Sequence, residues 1–263
     1  VDITFLGSGG AFTDYRVNYH NNALVWTSEG PVLLDCGTTA CQSMRELGVH
    51  PGQIRAVIFT HLHADHASPE QLAWQRFYDG PDGAPGFLRT PLHAPASLLD
   101  PLRASLHPFM DAFTDHQGNL RTGGVDHVLA FHRDAEVVIG GVRFRWFRVP
   151  HVTGGPVDKA AFGIDIDDGT TRVIWSGDTT FSPAWIRAAA EDPRVARIFH
   201  ECLFVPPFKG TVHTHYEELC ALPPEIRQRI TLMHHTAVPE NVELDKFHGA
   251  AQRHERFELL PPS

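Results

Sequence analysis

The sequence lacks any apolar run of the roughly 18 residues that a membrane-spanning helix needs. No basic-then-apolar secretory segment opens it, although a first residue of Val rather than Met leaves a removed leader open. Cysteine is scarce. Cys36, Cys41, Cys202 and Cys220 include no Cys-x-x-Cys pair and are too few to staple a chain of 263 residues, so they read as reduced thiols of a cytoplasmic protein. Basic excess is missing as well. The formal net charge of −9 argues against a large RNA or DNA partner, which usually meets a basic face. There is no repeat of fixed period, no low-complexity tail and no linker, so residues 1–263 are expected to form one domain. With 42% hydrophobic and 20% charged residues, the composition is that of an ordinary globular protein.

What is present alternates between strand and helix patterns. Strands are expected over residues 1–6, then 23–27 and 31–35 as a hairpin around Ser28-Glu29-Gly30, then 56–60. Residues 39–47 carry helical spacing with Gly48 as a stop. Residues 69–78 follow as a helix with Ser68 as N-cap and Pro69 at the first position. Residues 79–86 are loop chemistry, and 95–110 hold one or two helices. Strands are then read over 125–131, 136–139, 142–149, 162–167, 172–176 and 195–199, with a last clear one over 230–233. Helical turns fall at 182–190, 216–222 and 224–229. This order suits a compact α/β sandwich with sheets inside and helices outside. The glycine turn at 7–10 is a weak phosphate-binding signal, because no clear helical pattern follows it.

Histidine is the anomaly, with 18 in the chain. His61, His63, Asp65 and His66 lie within one short run, Thr60-His61-Leu62-His63-Ala64-Asp65-His66, directly after the buried strand pattern Val57-Ile58-Phe59. A loop leaving a strand edge can turn such side chains toward one point. Imidazole and carboxylate suit zinc, iron or manganese.

This run resembles the His-x-His-x-Asp-His motif of the metallo-β-lactamase superfamily, and other segments follow that family's order. Leu33-Leu34-Asp35-Cys36-Gly37 is similar to its Asp-Cys-Gly turn. His151 follows Val149-Pro150 where the family has its next histidine, and Asp178 in Ser176-Gly177-Asp178-Thr179 matches its bridging aspartate. His234 after Thr231-Leu232-Met233 matches its last histidine. The adjacent His235 stays open as the alternative, since neighbouring strand residues face opposite ways. The resemblance covers residues 2–236 and implies an αββα sandwich of two mixed sheets packed face to face with helices outside. It further implies two divalent ions, zinc by default with manganese or iron as alternatives. His61, His63 and His151 would hold the first ion, and Asp65, His66 and His234 the second, with Asp178 between them. Such a pair activates a water as hydroxide, and Asp65 would orient it while acting as a ligand.

Within the superfamily, Phe199-His200-Glu201-Cys202 resembles the His-Glu-Ala-Thr loop of the ribonuclease Z branch, and His213-Thr214-His215 resembles its partner loop. Cys202-Leu203 replaces Ala-Thr, and His215 stands where that branch has Thr. The likeness implies that Glu201 orients His213 and that His213 serves the leaving group. The long glycine-rich arm that grips transfer RNA is not visible, and residues 79–86 carry no basic side chain. The expected substrate is therefore a small, anionic phosphodiester such as a cyclic nucleotide or a nucleotide fragment. His107, Phe109, Phe113 and Phe208 are candidates for the mouth of the site. Relatives often form dimers, and the sequence leaves the oligomeric state open, with a homodimer among the alternatives. Three rival readings stand beside this one: a lactonase, thioesterase or β-lactamase attacking a carbonyl, a di-iron oxidoreductase, and a non-catalytic metal-binding protein. The oxidoreductases' first motif has Glu where this chain has His63.

Overall fold

A computed structural model of the chain describes residues 1–79, 86–153 and 159–260. Most of the loop expected over 79–86 lies outside them. Fifteen described strands run in chain order as β1 (Asp2–Gly7), β2 (Asn22–Thr27), β3 (Gly30–Leu34), β4 (Val57–Ile58), β5 (Thr90–Ala94), β6 (Ala112–Thr114), β7 (Leu120–Thr122), β8 (Leu129–Arg133), β9 (Glu136–Ile139), β10 (Val142–Arg148), β11 (Phe162–Asp167), β12 (Arg172–Trp175), β13 (Val195–Glu201), β14 (Ile230–Met233) and β15 (Arg256–Glu258). The α-helices are α1 (Ala40–Glu46), α2 (Glu70–Tyr78), α3 (Ala96–Leu106), α4 (Gly124–Val128), α5 (Pro183–Glu191), α6 (Tyr216–Cys220) and α7 (Pro224–Arg227).

The strands form a seven-stranded sheet ordered β15-β1-β2-β3-β4-β5-β8 and a six-stranded sheet ordered β14-β13-β12-β11-β10-β9, with β6 and β7 as a separate hairpin. Both large sheets are mixed. β1, β2 and β3 pair antiparallel while β3, β4, β5 and β8 pair parallel. In the second sheet β9 to β12 are antiparallel and β12, β13 and β14 parallel. β10 alternates as its sequence does: Val142, Phe144 and Trp146 turn inward, while Arg143 and Arg145 face water.

One buried cluster joins the inner faces, with Ile3, Phe5 and Leu33 from the first sheet against Phe144, Trp175 and Phe199 from the second. Phe5 contacts both Trp175 and Phe199 at ring-centroid distances of 5.2 Å. A smaller cluster of Ile174, Ile186, Ile198, Leu219 and Leu232 seats α5 and α6 on the outer face of the second sheet. This is the expected two-sheet sandwich with helices outside. No helix among the described residues is long and apolar enough to cross a membrane.

Three local expectations are corrected. The apolar run expected as a strand over 125–131 begins as α4 and becomes β8 only at Leu129. Val125 and Val128 are buried three residues apart, a helical spacing, and Gly123 supplies the left-handed turn (φ +79) that starts it. Ser68 does not cap α2. Its hydroxyl donates to the Ala64 carbonyl at 2.9 Å, and Pro69 occupies the cap position without a side-chain bond. The strand over 230–233 is not the last, since β15 pairs with β1 and closes one edge of the first sheet.

Candidate metal centre

The chain turns into the site where strands end. His61 lies just beyond β4, His151 beyond β10, Asp178 beyond β12 and His234 beyond β14, and Glu201 closes β13. Parallel neighbours such as β12, β13 and β14 deliver their last residues to one edge. Two of these turns use a rare backbone. Asp35 (φ +56), just after β3, and His234 (φ +53) are left-handed without being glycine. Strain of this kind persists only where the surroundings over-determine it.

Two groups of side chains meet at Asp178, beside a third made of His151, Glu201 and His213. His61, His63, His151 and Asp178 form one, and Asp65, His66, His234 and Asp178 the other. In each group one ligand-type atom per residue lies within 4.8 Å of all the others, a spread that a single metal ion could span. Asp178 belongs to both. His61 Nε2 and His151 Nε2 lie 3.1 and 3.3 Å from His63 Nδ1. His66 Nε2 is 3.2 Å from Asp65 Oδ2 and 3.3 Å from Asp178 Oδ1. His234 Nε2 is 3.2 Å from Asp65 Oδ2 and 3.4 Å from Asp178 Oδ2.

The chemistry of the set fits cations. Burial holds His61, His63 and His151 below the ordinary histidine pKa, as neutral imidazoles with a lone pair to give. His66 Nε2 and Asp178 Oδ1 are buried and make no hydrogen bond despite facing each other, an arrangement that otherwise leaves polar groups unsatisfied. The far nitrogens are fixed from behind. His151 Nδ1 donates to the Val212 carbonyl at 2.7 Å, and His66 Nδ1 to Asp35 Oδ2 at 2.8 Å. With the ring neutral, each bond leaves Nε2 as the free acceptor.

Asp35 is fully buried. It accepts from the Thr60 N–H at 2.7 Å and the Thr60 hydroxyl at 2.8 Å besides His66. Burial pushes its carboxyl pKa up against these partners. Asn22 ties the same corner: its amide donates to the Asp65 carbonyl at 3.1 Å and its oxygen accepts from Gly37 N–H at 3.0 Å. Neither residue was singled out from sequence for a site role. Asp35 stood in the Asp-Cys-Gly turn as a marker of a motif. Asn22 carried no signal, because a buried amide within an apolar strand reads as an imperfection in the pattern.

Beside the second group, His213 Nδ1 lies 2.8 Å from Glu201 Oε2 and 3.9 Å from Asp178 Oδ2. Glu201 is fully buried and also accepts from the Thr179 N–H. Burial pulls His213 down, but the charge and hydrogen bond of Glu201, with Asp178 beyond, override it and raise its pKa above the ordinary histidine value. Burial alone would push Glu201 up, while His213 and His234 hold it below the usual carboxylate range. His234 faces this centre and His235 does not: the latter donates to the Thr236 carbonyl at 2.7 Å and packs on Phe204. His215, in the place of a family Thr, caps α6 with Glu218 and braces the loop before it.

Of the residues expected at the mouth, Phe208 lines a cavity over the cluster. Phe113 is instead buried against Phe77 at 5.7 Å. His107 ends α3, and Phe109 stands in solvent.

The sequence pattern of the anti-Pycsar protein Apyc1 family matches residues 1–257. The chain belongs to that family. It is 30% identical over 258 residues to the anti-Pycsar protein Apyc1 of Paenibacillus sp. (strain J14), covering 94% of this chain and 92% of that one. Among solved structures it superposes on the metallo-β-lactamase fold protein YhfI from Bacillus subtilis with a TM-score of 0.69, at 18% identity over 97% of this chain and 98% of that one. On the short form of human tRNase Z the TM-score is 0.70, at 15% identity over 99% of this chain and 100% of that one. The chain therefore has the metallo-β-lactamase fold, and this member of the Apyc1 family is built as a metal-dependent hydrolase.

Proposed function

We propose that the chain hydrolyses a small anionic phosphodiester, a cyclic nucleotide or a nucleotide fragment. The observation that carries this reading is the Glu201–His213 pair, 2.8 Å apart at the edge of the cluster. A carbonyl-ester hydrolase has no evident use for it. The membership of an anti-Pycsar family agrees with a nucleotide substrate.

His61, His63 and His151 would hold one divalent ion and Asp65, His66 and His234 a second, with Asp178 shared. Zinc is the default, and manganese and iron suit the same donors. When bound, such a pair acidifies a water toward a pKa of about 7 and neutralises charge on the phosphoryl oxygens. The remaining work belongs to the chain. Asp65 accepts a hydrogen bond from the attacking water, which gives up its other proton to solvent, and aims its oxygen at phosphorus. As the new P–O bond forms, the ester P–O bond breaks, and His213 gives its proton to the departing oxygen. Glu201 fixes the His213 ring and its charge favours the protonated form, the state a general acid needs.

The test is an activity panel on the metal-loaded protein, with bis-p-nitrophenyl phosphate, 3′,5′-cyclic nucleotides, a lactone and a β-lactam. Phosphodiester turnover is expected, and His213→Ala should lower kcat on it by about 10²–10⁴-fold. Turnover of carbonyl substrates alone would overturn the reading.

A further inference from the structure

We propose that the cavity on the His213 side of the cluster is a nucleobase subsite, with the rings of Phe12 and Phe208 as its stacking surfaces. The proposal rests on the phosphodiesterase reading and names the part of the substrate that the reading leaves open.

Two cavities open on the cluster and share His63. One, of about 360 Å³, lies against His61 and His151 and carries Ser97 and Lys159. The other, of about 340 Å³, has Asp65, Asp178, His213 and His234 as its floor, with Phe12 and Phe208 among its walls. His213 lines the second cavity and not the first. This asymmetry orients the substrate. His213 protonates the departing oxygen, and in a nucleoside cyclic phosphate that oxygen belongs to the ribose. Ribose and base must then lie on the His213 side.

The chemistry of that side suits a base. Among the described residues no lysine or arginine lines the second cavity, so charge recognition is confined to its floor. Its walls offer apolar and aromatic surface, which takes a flat, uncharged ring better than a phosphate.

Both rings stand on loops fixed at the base. Phe12 sits at the tip of a turn closed by the Thr13 N–H donating to the Gly10 carbonyl at 3.0 Å. Gly10 lies so near His234 that a methyl group there would come within 3.4 Å of its ring, so the turn rests on the cluster. Phe12 is nonetheless 99% exposed. Phe208 is 57% exposed, with its ring set edge-on to His215 at 5.5 Å. His215 in turn holds that loop through the Val205 carbonyl at 2.7 Å and the Thr211 hydroxyl at 3.0 Å. Large apolar side chains on braced loops at a cavity rim gain burial when a ligand enters.

The experiment is calorimetric titration of the metal-loaded protein with adenosine 5′-monophosphate and with ribose 5-phosphate, comparing wild type with Phe12→Ala, Phe208→Ala, Phe12→Leu and the double alanine variant. Wild type is expected to bind the nucleotide at least about tenfold tighter than the sugar phosphate. Each alanine variant should lose about tenfold on the nucleotide and nothing on the sugar phosphate. Phe12→Leu, which keeps an apolar side chain without the flat ring, should lose nearly as much. KM for a cyclic nucleotide should rise in the same variants with kcat retained. Equal affinity of wild type for both ligands, or equal loss of both in the variants, overturns the proposal. So does a fall in oligomeric state on sedimentation of the ligand-free variants, which would assign the rings to a protein contact. Ring-dependent nucleotide binding without cyclic nucleotide turnover would sink the phosphodiesterase reading and leave the subsite. Turnover with unaltered binding in the variants would do the reverse.

Discussion

Asp35 gives up all of its solvation to hold one imidazole and one threonine. In Asp35→Asn the left-handed turn survives, because asparagine tolerates positive φ, but the acceptor charge behind His66 is gone. Loss of such an outer partner typically weakens metal affinity about 10–100-fold. Competition with a fluorescent zinc chelator should register that loss for one of the two proposed ions, and unchanged metal affinity would remove Asp35 from the site. The Glu201–His213 pair makes a prediction about pH. The His213 pKa is raised in the folded protein, so the proton donor is present at low pH and is lost as pH rises through that raised value. Activity should fall along an alkaline limb. In Glu201→Gln the charge that raises His213 is absent, so the limb should move to lower pH. A limb in the same place would separate the pair from the reaction. These residues were unequally legible. His61, His63, Asp65 and His66 are dense in sequence because one loop carries them, whereas the pairing of Glu201 with His213 joins β13 to a loop beyond it and rested on a resemblance until their atoms stood 2.8 Å apart.

At the scale of the element, the site is a set of strand ends, and the loops between them are set by close backbone contact. Gly37 is the tightest. A Cβ there would stand 2.0 Å from the Asp65 carbonyl oxygen. Its φ lies in the ordinary range, so nothing but contact opposes a side chain. Gly37→Ala should therefore destabilise by roughly 1–3 kcal/mol through overpacking and displace Asp65, lowering metal content. Gly48→Ala is the control. Its φ of +71 carries backbone strain, but a Cβ there meets nothing, so it should lose about 1 kcal/mol with metal content intact. Urea denaturation with metal analysis separates the two, and equal behaviour would mean the contact at Gly37 is unimportant. The strands of the second sheet were readable where one face met the core, as in β10. β5 was missed because Pro91 and His93 interrupt its apolar run, although its pairing with β4 and β8 supplies the order that local pattern lacks. β15 has three residues and exists through β1, far away in sequence. Strand alternation says only that one of His234 and His235 faces the site, and the choice of His234 rests on the family resemblance. The strand stops at Met233, and the left-handed residue itself makes the turn.

At the scale of the whole molecule, the cluster spans both sheets. His61 to His66 follow β4 of the first sheet, while His151, Asp178 and His234 follow β10, β12 and β14 of the second. Ions held by these groups would tie the two halves of the sandwich together, and any ligand that binds only the folded state stabilises it, by about 2.7 kcal/mol at a hundredfold excess over its Kd. The same groups make the stability of the chelated protein depend on pH. Burial pulls His66 and His234 down, but the surrounding carboxylates override it, raising His66 and pushing His234 up to about 10. A group whose folded pKa exceeds its unfolded value of about 6.5 contributes stability fully below that pH and loses it as pH climbs toward the folded value. The Tm of the chelated protein should therefore decline between about pH 6.5 and 10. With metal bound those protons are already displaced, so the decline should flatten and the gap between the two melting curves should widen with pH. Because one buried cluster joins both sheets, each curve should be a single transition, as for one cooperative domain. Calorimetry across that pH range checks the slope, the gap and the number of transitions together. A chelated protein that melts in two steps would divide the sandwich, and one whose Tm ignores pH would mean that these imidazoles carry no charge in the metal-free fold.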